Sequence, residues 1–318
     1  QCKEGAGGVL CGSCIDGYVY SGVSNACRLC EAAQGSLFII MFCLLFILIL
    51  LLVYFYFGDH FELKTFSVVK FALQIDTGSL KVIWVTYQII VSSSFTLDIE
   101  YPPPFNYSLQ FLSIFSLDFI ALECLNEDAG SQENYFTTTY MWSIIPILLT
   151  ILIWFAGLVR IMVKSRVNSS TYTYKKDGVK VIDQHFWLFL FLTYIVLPPV
   201  SNKQLQAFDC LSFDSGLRYL RVDTSIDCDS NAYKDFSTVI VMFVIIYQCI
   251  PLLWFVLLYR KKSDLNPPTS NHDEKLALFI RNQHPELASI RFLFVDYKCS
   301  KWWFEIFDMY RRIIFIGV

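Results

Sequence analysis

A long stretch without basic residues constrains the fold of this chain more than any other feature. Between Lys81 and Arg160 there is no lysine or arginine, and two apolar runs, 82–97 and 140–159, flank an acidic middle. The acidic residues of that middle are Asp98, Glu100, Asp118, Glu123, Glu127, Asp128 and Glu133. Basic residues accumulate on the cytoplasmic side of membrane proteins, whereas short loops without them lie outside. The stretch therefore predicts a membrane hairpin whose middle faces the cell exterior or a lumen.

The composition also indicates a membrane protein. Of the 318 residues, 55% are hydrophobic and 17% are charged, whereas a soluble domain carries about 25% charged residues. The chain begins within a cysteine-rich segment and ends within an apolar run, so we expect it to be part of a longer protein.

The apolar runs predict an all-α polytopic membrane protein with at least five transmembrane helices. About 20 predominantly apolar residues in a helix cross a bilayer. The predicted spans are 37–57, 81–97, 140–163, 182–200 and 236–259, with the start of another at 302–318. The fourth span is short, so it either extends back over 179–185 or ends in a break at Pro198 and Pro199.

The apolar segment 105–122 does not fit as a further span. If it crossed the membrane, the acidic loop after it would be cytosolic and the basic loop after the next span would be external, against the charge rule. We therefore predict a re-entrant or interfacial helix, which follows three prolines at 102–104 that end the second span. Asn106, in an Asn-Tyr-Ser sequon, is then a candidate for external glycosylation.

The domain organisation predicted from the cysteines is a small module over 1–34 followed by a membrane domain over 35–318. Four cysteines of the module have the spacing C-x2-C-x12-C-x2-C, which suits zinc in a cytosolic protein. Because the charge rule places the module outside, we favour disulfides, which hold small extracellular segments together. The cysteines predicted to lie outside are Cys2, Cys11, Cys14, Cys27, Cys30, Cys124, Cys210 and Cys228.

The external cysteines are even in number, so all of them can pair. The simplest inference is a local disulfide between Cys210 and Cys228 in the loop 201–235, and one further bridge would join the N-terminal module to Cys124. Aspartates of this loop offer oxygen ligands for Ca²⁺, but without an EF-hand spacing we favour a solvated acidic loop. No other cofactor is predicted.

Polar residues on the second span have two interpretations. Gln88, Ser92 and Thr96 recur every four residues and share one helical face. Such a face mediates contact between helices, or it lines a hydrated pathway. The carboxylates that would lie near the outer mouth of that pathway, or be hydrated at the interface, are Asp98, Asp118 and Glu123.

The C-terminal stretch predicts a helix that starts at a membrane interface. Trp302 and Trp303 suit the headgroup level. The basic pair Arg311 and Arg312 either snorkels to the cytosolic edge or pairs with acidic residues of the same stretch. Those acidic residues are Glu305 and Asp308.

Enzymatic and nucleic-acid-binding functions are not expected. The chain contains no Walker loop, GxGxxG, HExxH or GxSxG motif, its histidines have no ligand spacing, and it has no sustained basic patch.

Several segments resemble those of large surface proteins of protists and algae. The N-terminal pattern E-G-x2-G-x2-C-x2-C-x2-G-Y…C-x2-C is similar to ephrin-receptor-like, EGF/laminin-like cysteine-rich repeats. Similar landmarks follow in their membrane domains: KVIWVTYQIIVSSSFTLDIEYP, FLSIFSLDFIALEC, FDC…YLRVDTSIDC and FLFVDYKCSKWWFEIFDMYRRIIFIGV. Those membrane domains are described as similar to transient receptor potential channels, including polycystins.

The resemblance implies a cation-channel-like integral membrane protein with an acidic outer mouth. The alternative is a cell-surface receptor or structural anchor that binds an extracellular protein partner through its cysteine-rich module. In either case we expect a plasma or ciliary surface membrane, with the N-terminal module outside. The expected partners are the lipid bilayer and further copies of the chain in a homo-oligomer or larger assembly.

Overall fold

The computed structural model describes most of the chain after Ser131 and parts of the region before it. The described residues are 2–15, 17–21, 26–30, 79, 81–88, 90, 131–167, 178–214, 216–268, 274–287 and 289–317. The predicted span 37–57 and the predicted re-entrant helix lie outside them, and within the second predicted span residues 81–88 are helical.

Among the described residues, three helices are long and apolar enough to cross a membrane. They are α1 (Ser131–Val167), α2 (Val179–Gln206) and α3 (Asn231–Arg260). They contain the predicted spans 140–163, 182–200 and 236–259 and extend each of them at both ends. The protein is therefore a mostly helical membrane protein, and these three helices are the candidate membrane spans among its described residues.

The second of these helices decides between the two alternatives for the short fourth span. Because α2 begins at Val179, the span extends back over 179–185. The helix continues through Pro198 and Pro199 to Gln206, so the predicted break at the prolines does not occur. Membrane helices tolerate proline where neighbouring groups satisfy the freed backbone carbonyls.

The chain divides into two compact units. The first contains 1–141, 202–241 and 316–318, and the second contains 142–201 and 242–315.

Disulfides and small sheets build the first unit. Among the residues of this unit that the structure describes, three antiparallel pairs form: β1 (Ala6–Gly7) with β2 (Ser13–Cys14), β3 (Tyr18–Ser21) with β4 (Ala26–Leu29), and β5 (Cys210–Ser212) with β6 (Arg218–Leu220). The described disulfides are Cys2–Cys11, Cys14–Cys27 and Cys210–Cys228. These cysteines are therefore cross-linked rather than available as zinc ligands, and Cys210 has the partner that the sequence suggested.

The N-terminal module docks on the loop between α2 and α3 through Thr224. The hydroxyl of this buried residue donates a hydrogen bond to the Val9 carbonyl at 2.6 Å, and its amide donates to the Gly12 carbonyl at 3.3 Å. A Cβ on Gly12 would lie 2.7 Å from Thr224 Cγ2. Glycine at position 12 is thus required by this close approach.

An aromatic cluster packs α1 against α3 within the first unit. Phe236 of α3 is buried and stacks on Phe136, with ring centroids 4.1 Å apart. The rings of Tyr135 and Tyr140 meet Phe236 edge-on at 6.0 and 5.4 Å. Edge-to-face and offset pairs add to the stabilisation from burial, so Phe236 anchors this end of the two helices.

In the second unit, a small residue lets α1 and α2 approach closely. A Cβ on Gly157 would lie 3.1 Å from the ring of His185, and Arg160 donates to the Gln184 side chain at 2.9 Å. Small residues and interhelical hydrogen bonds of this kind drive helix association in membranes.

The segment after α3 is a packed structure. It contains α4 (Lys262–Leu265), α5 (Glu274–Gln283) and, after three short 3-10 helices, α6 (Phe304–Gly317). Phe292 is buried, and its ring meets those of Trp187, Phe191 and Tyr194 of α2 edge-on. The segment is thereby held against a membrane helix.

We predict that Thr224→Val loosens the docking of the N-terminal module. The substitution keeps the side-chain shape but leaves the Val9 carbonyl without its donor, which costs about 1–3 kcal/mol. Hydrogen–deuterium exchange should be faster in the peptides 5–15 and 219–228. Thr238→Val is the matched control, since its exposed hydroxyl donates only within α3 to Lys234. Equal exchange in both variants would show that the docking does not depend on this hydroxyl.

We also predict that peptide mapping without reduction will find Cys30 joined to Cys124. Cys30 is disulfide-bonded, and its partner lies outside the described residues. Two cysteines, Cys43 and Cys124, lie outside the described residues. Because Cys43 belongs to the apolar run 37–57, Cys124 is the one that we predict to be external and to pair with Cys30. A cross-linked peptide containing Cys30 and Cys43 would contradict the predicted topology.

Candidate functional site

A buried ionic network on α6 is the most unusual chemical feature of the second unit. Glu305, Asp308 and Arg312 follow one another at intervals of three and four residues, so they lie on one face of the helix. This face packs among apolar side chains rather than facing solvent: Glu305 is 0% exposed, Arg312 3% and Asp308 7%.

Every nitrogen of the Arg312 guanidinium has a partner. Nε donates to Asp308 Oδ2 at 2.7 Å, and Nη2 donates to the same oxygen and to Glu305 Oε1, the latter at 3.3 Å. Nη1 donates to the hydroxyl of Tyr194 at 2.9 Å. The guanidinium carbon also lies 5.0 Å from the centroid of the Tyr194 ring. The arginine is therefore held by two carboxylates on its own helix and one phenol on α2.

The surroundings of the network are aromatic and apolar. Tyr194 is 2% exposed and contacts the buried rings of Trp254 and Phe292, with centroids 6.5 and 5.0 Å away. Arg311 reaches Asp308 Oδ1 at 2.5 Å from a half-exposed position. Arg312 and the half-exposed Arg311 thus face two buried carboxylates, so the formal charges of this group balance.

A second layer of hydrogen bonds supports Glu305. The Tyr297 hydroxyl donates to the Glu305 carboxylate, and burial, followed by the nearby Glu305 and Asp308 carboxylates, raises the pKa of Tyr297. The tyrosine therefore stays a neutral donor. Its backbone carbonyl accepts from Arg281 Nη1 at 2.9 Å, and the Val295 carbonyl accepts from Nη2 at 3.3 Å.

Arg281 extends this network to α5. It is 1% exposed, and its guanidinium lies 5.0 Å from the ring of Phe294. Burial lowers the pKa of Arg281 relative to an exposed arginine, although the guanidinium remains protonated at neutral pH. A continuous chain of contacts thus runs from α5 through the 294–297 segment to α6 and then to α2.

Burying charged groups costs free energy, so their presence in a protein interior points to a specific role. Removing one partner of a buried ion pair leaves an uncompensated charge in a medium of low dielectric constant. Ionisable residues buried within membrane-spanning segments mark ion pathways, proton relays, voltage sensors or counter-ions of a ligand. The network is accordingly the candidate functional site within the described part of the chain.

The structure distinguishes the alternatives predicted for the C-terminal stretch. Arg312 pairs with Glu305 and Asp308, so snorkelling is wrong for this residue, whereas Arg311 keeps half of its side chain exposed. Trp302, predicted at the headgroup level, is buried and stacks against Phe255.

The other predicted site residues do not join this network within the described part of the chain. Gln88 is half-buried on the helical segment 81–88. The candidates outside the described residues are Ser92, Thr96, Asp98, Asp118, Glu123 and Asn106. In the acidic loop 201–235, Asp223 accepts a hydrogen bond from the Ser225 amide at 3.0 Å, and Asp227 accepts one from the Asp229 amide at 2.8 Å. Both are local interactions within turns.

No sequence pattern marks Tyr194, Tyr297 or Arg281 as members of the site. Tyr194 lies in an apolar run in which a tyrosine is ordinary, and Arg281 lies on a short helix with a polar face. A signal was present only in α6, where acidic and basic residues recur with helical spacing inside an apolar stretch.

No protein-family model, curated protein or solved structure matches this chain. Its fold and site define an α-helical membrane protein with a disulfide-bonded N-terminal module and a buried ionic network against its membrane helices.

We predict that Arg312→Met destabilises the second unit by about 3–5 kcal/mol, because Glu305 and Asp308 would remain buried without a counter-charge. Arg311→Met is the matched control and should cost about 0–1 kcal/mol, since its pair is half-exposed. Thermal unfolding of the purified protein in detergent, followed by tryptophan fluorescence, measures the difference.

A triple variant tests whether the loss comes from the unpaired carboxylates. Arg312→Met combined with Glu305→Gln and Asp308→Leu removes all three buried charges and should recover most of the lost stability. Equal melting of the Arg312→Met and Arg311→Met proteins would mean that the buried network is not what holds α6.

Proposed function

We propose that this chain is a cation-channel-like integral membrane protein, in which the Arg312 network holds the membrane helices in a defined arrangement. The observation that carries the proposal is a set of buried charges, Glu305, Asp308 and Arg312, packed against membrane helices. Anchoring alone does not require such charges, whereas conduction and its control employ them repeatedly.

The proposed topology has at least five spans with the N-terminal module outside. It adds 37–57, 81–97 and a span that begins at 302–318 to the helices α1, α2 and α3. Basic residues support the orientation: Arg160, Lys164 and Arg166 lie in the last turns of α1, and Arg260 ends α3 and is followed by Lys261 and Lys262. These ends would be cytosolic under the charge rule, and the disulfide-bonded loop would face an oxidising exterior.

In this proposal the acidic middle of the sequence forms the outer mouth. Carboxylates at a pore entrance raise the local concentration of cations by focusing the electric field. The candidates are Asp98, Asp118 and Glu123, with Gln88, Ser92 and Thr96 along the pathway. Several copies of the chain would surround one pore, in the plasma or ciliary membrane that the resemblance to transient receptor potential channels implies.

The network would act as the element that responds to the cytosolic side. Energetic coupling between distant sites is carried by packed and hydrogen-bonded groups that have discrete arrangements. A continuous path of contacts from Arg281 through Tyr297 and Glu305 to Arg312 and Tyr194 supports this role.

The second candidate function is a receptor or structural anchor with an extracellular protein partner. Its support is the N-terminal module, which two described disulfides hold together and Thr224 fixes to the 207–230 loop. A rigid surface of this kind suits protein recognition. An anchor would need neither a symmetric assembly nor a conducting pathway.

Single-channel recording separates the two functions. We predict that the purified full-length protein in planar bilayers gives cation-selective currents, and that Asp118→Asn reduces them because the mouth loses negative charge. Asp214→Asn is the matched control in the exposed acidic loop and should leave the current unchanged. Currents with unaltered amplitude and selectivity in Asp118→Asn would remove Asp118 from the pathway. Absence of current across voltage, Ca²⁺ concentration and membrane tension would favour the receptor or anchor.

A further inference from the structure

An apolar cleft lies among the three membrane helices of the second unit. Its volume is about 160 Å³, similar to an engineered apolar cavity of about 150 Å³ that binds benzene. The walls come from α1, α2 and α3 close to the midpoint of each helix, and include Pro146, Val196 and Ile250. The midpoint of a membrane-spanning helix lies in the hydrocarbon core of the bilayer.

The polar groups of the cleft wall are all engaged within the protein. The Thr150 hydroxyl donates to the carbonyl four residues earlier at 2.9 Å, and the Thr193 hydroxyl donates to the carbonyl three residues earlier at 2.9 Å. The Tyr247 hydroxyl donates to the Ser143 carbonyl at 2.7 Å. Every other lining side chain is apolar. The wall therefore offers hydrocarbon contacts and no free hydroxyl donor for water or for a lipid headgroup.

Prolines explain why a gap exists at this level. Pro146 lines the cleft, Leu197 of the wall precedes Pro198, and Ile250 of the wall precedes Pro251. A proline inside a helix removes one backbone hydrogen bond, and its ring displaces the preceding turn. Because all three helices carry a proline at the same level, their close packing is interrupted there.

We propose that the cleft binds an acyl chain of a bilayer lipid. Ile246, which lines the cleft, is 51% exposed, so the cleft is accessible from the side of the helices where lipid chains lie. An empty apolar cavity forfeits the dispersion contacts of its walls, and a water molecule there would lack the polar partners it needs. The acyl chain restores those contacts, whether or not the protein conducts ions.

Lipid retention measured by native mass spectrometry tests the proposal. The wild-type protein, purified in detergent and loaded with phosphatidylcholine, should keep one lipid at detergent concentrations that strip the rest. Val196→Phe places a ring in the cleft and should weaken retention about tenfold, because two or more methylenes lose their site. Val256→Phe, on an exposed position of α3, is the matched control and should retain the lipid. Equal retention in the two variants overturns the proposal.

Photolabelling of the wild-type protein provides a test that does not depend on a folded variant. Phosphatidylcholine with a mid-chain diazirine should label the cleft peptides of α2 and α3 more strongly than the exposed face of α1 around Phe155. A headgroup diazirine should not label the cleft. Uniform chain labelling, headgroup labelling of the cleft, or labelling by a sterol probe but not by phosphatidylcholine would each overturn the proposal.

Thr150→Val distinguishes chain binding from hydrogen-bonded binding. The Thr150 hydroxyl is occupied by a backbone carbonyl, so its removal should leave lipid retention unchanged. Loss of the lipid in Thr150→Val would mean that a polar part of the ligand binds there, which contradicts an acyl-chain site.

Discussion

The ion pairs of Arg312 constrain the arrangement of α6 more than any other interaction in the second unit. A guanidinium in an environment without water is tolerable only if its donors are satisfied and its charge is balanced. Asp308 and Glu305 meet these conditions from the same helix, but the remaining donor needs Tyr194 on α2. The rotation of α6 and its height along α2 are therefore fixed together, since a shift by one residue would bury a charged group without a partner.

The residues around this contact make it rigid. Phe292 and Trp254 pack against Tyr194, and Tyr297 holds Glu305 while its own backbone is held by Arg281. If one hydrogen bond or ion pair is lost, its partner remains buried and unpaired in a medium of low dielectric constant. Such a network is therefore stable only when all of its bonds are made. This all-or-none character fits the responsive role that we propose for the network, whereas a set of hydrated surface charges would respond gradually.

The sequence predicted the features that depend on local pattern. Apolar runs indicated α1, α2 and α3 because a bilayer requires long uninterrupted apolar helices, and the pairing of Asp308 with Arg312 follows from the four-residue spacing. The contacts of Tyr194 with Arg312 and of Thr224 with Val9 join residues 118 and 215 positions apart. No periodicity encodes such contacts, since they arise only when helices and loops pack. The packing of Phe292 was missed for the same reason: the segment around it is polar on average, and only its folded form buries the aromatic residues.

The network and the cleft occupy consecutive residues of α2 yet impose opposite requirements. Tyr194 belongs to the network, whereas Thr193 lines the cleft. The network requires fixed distances between charged atoms. The cleft lies next to prolines in three helices and leaves a gap that protein atoms do not fill. A helix that is locked at one position and loosely packed beside it can bend there without breaking the ion pairs. Because Thr193 and Tyr194 are consecutive residues of α2, the fixed contact and the gap lie next to each other on one helix.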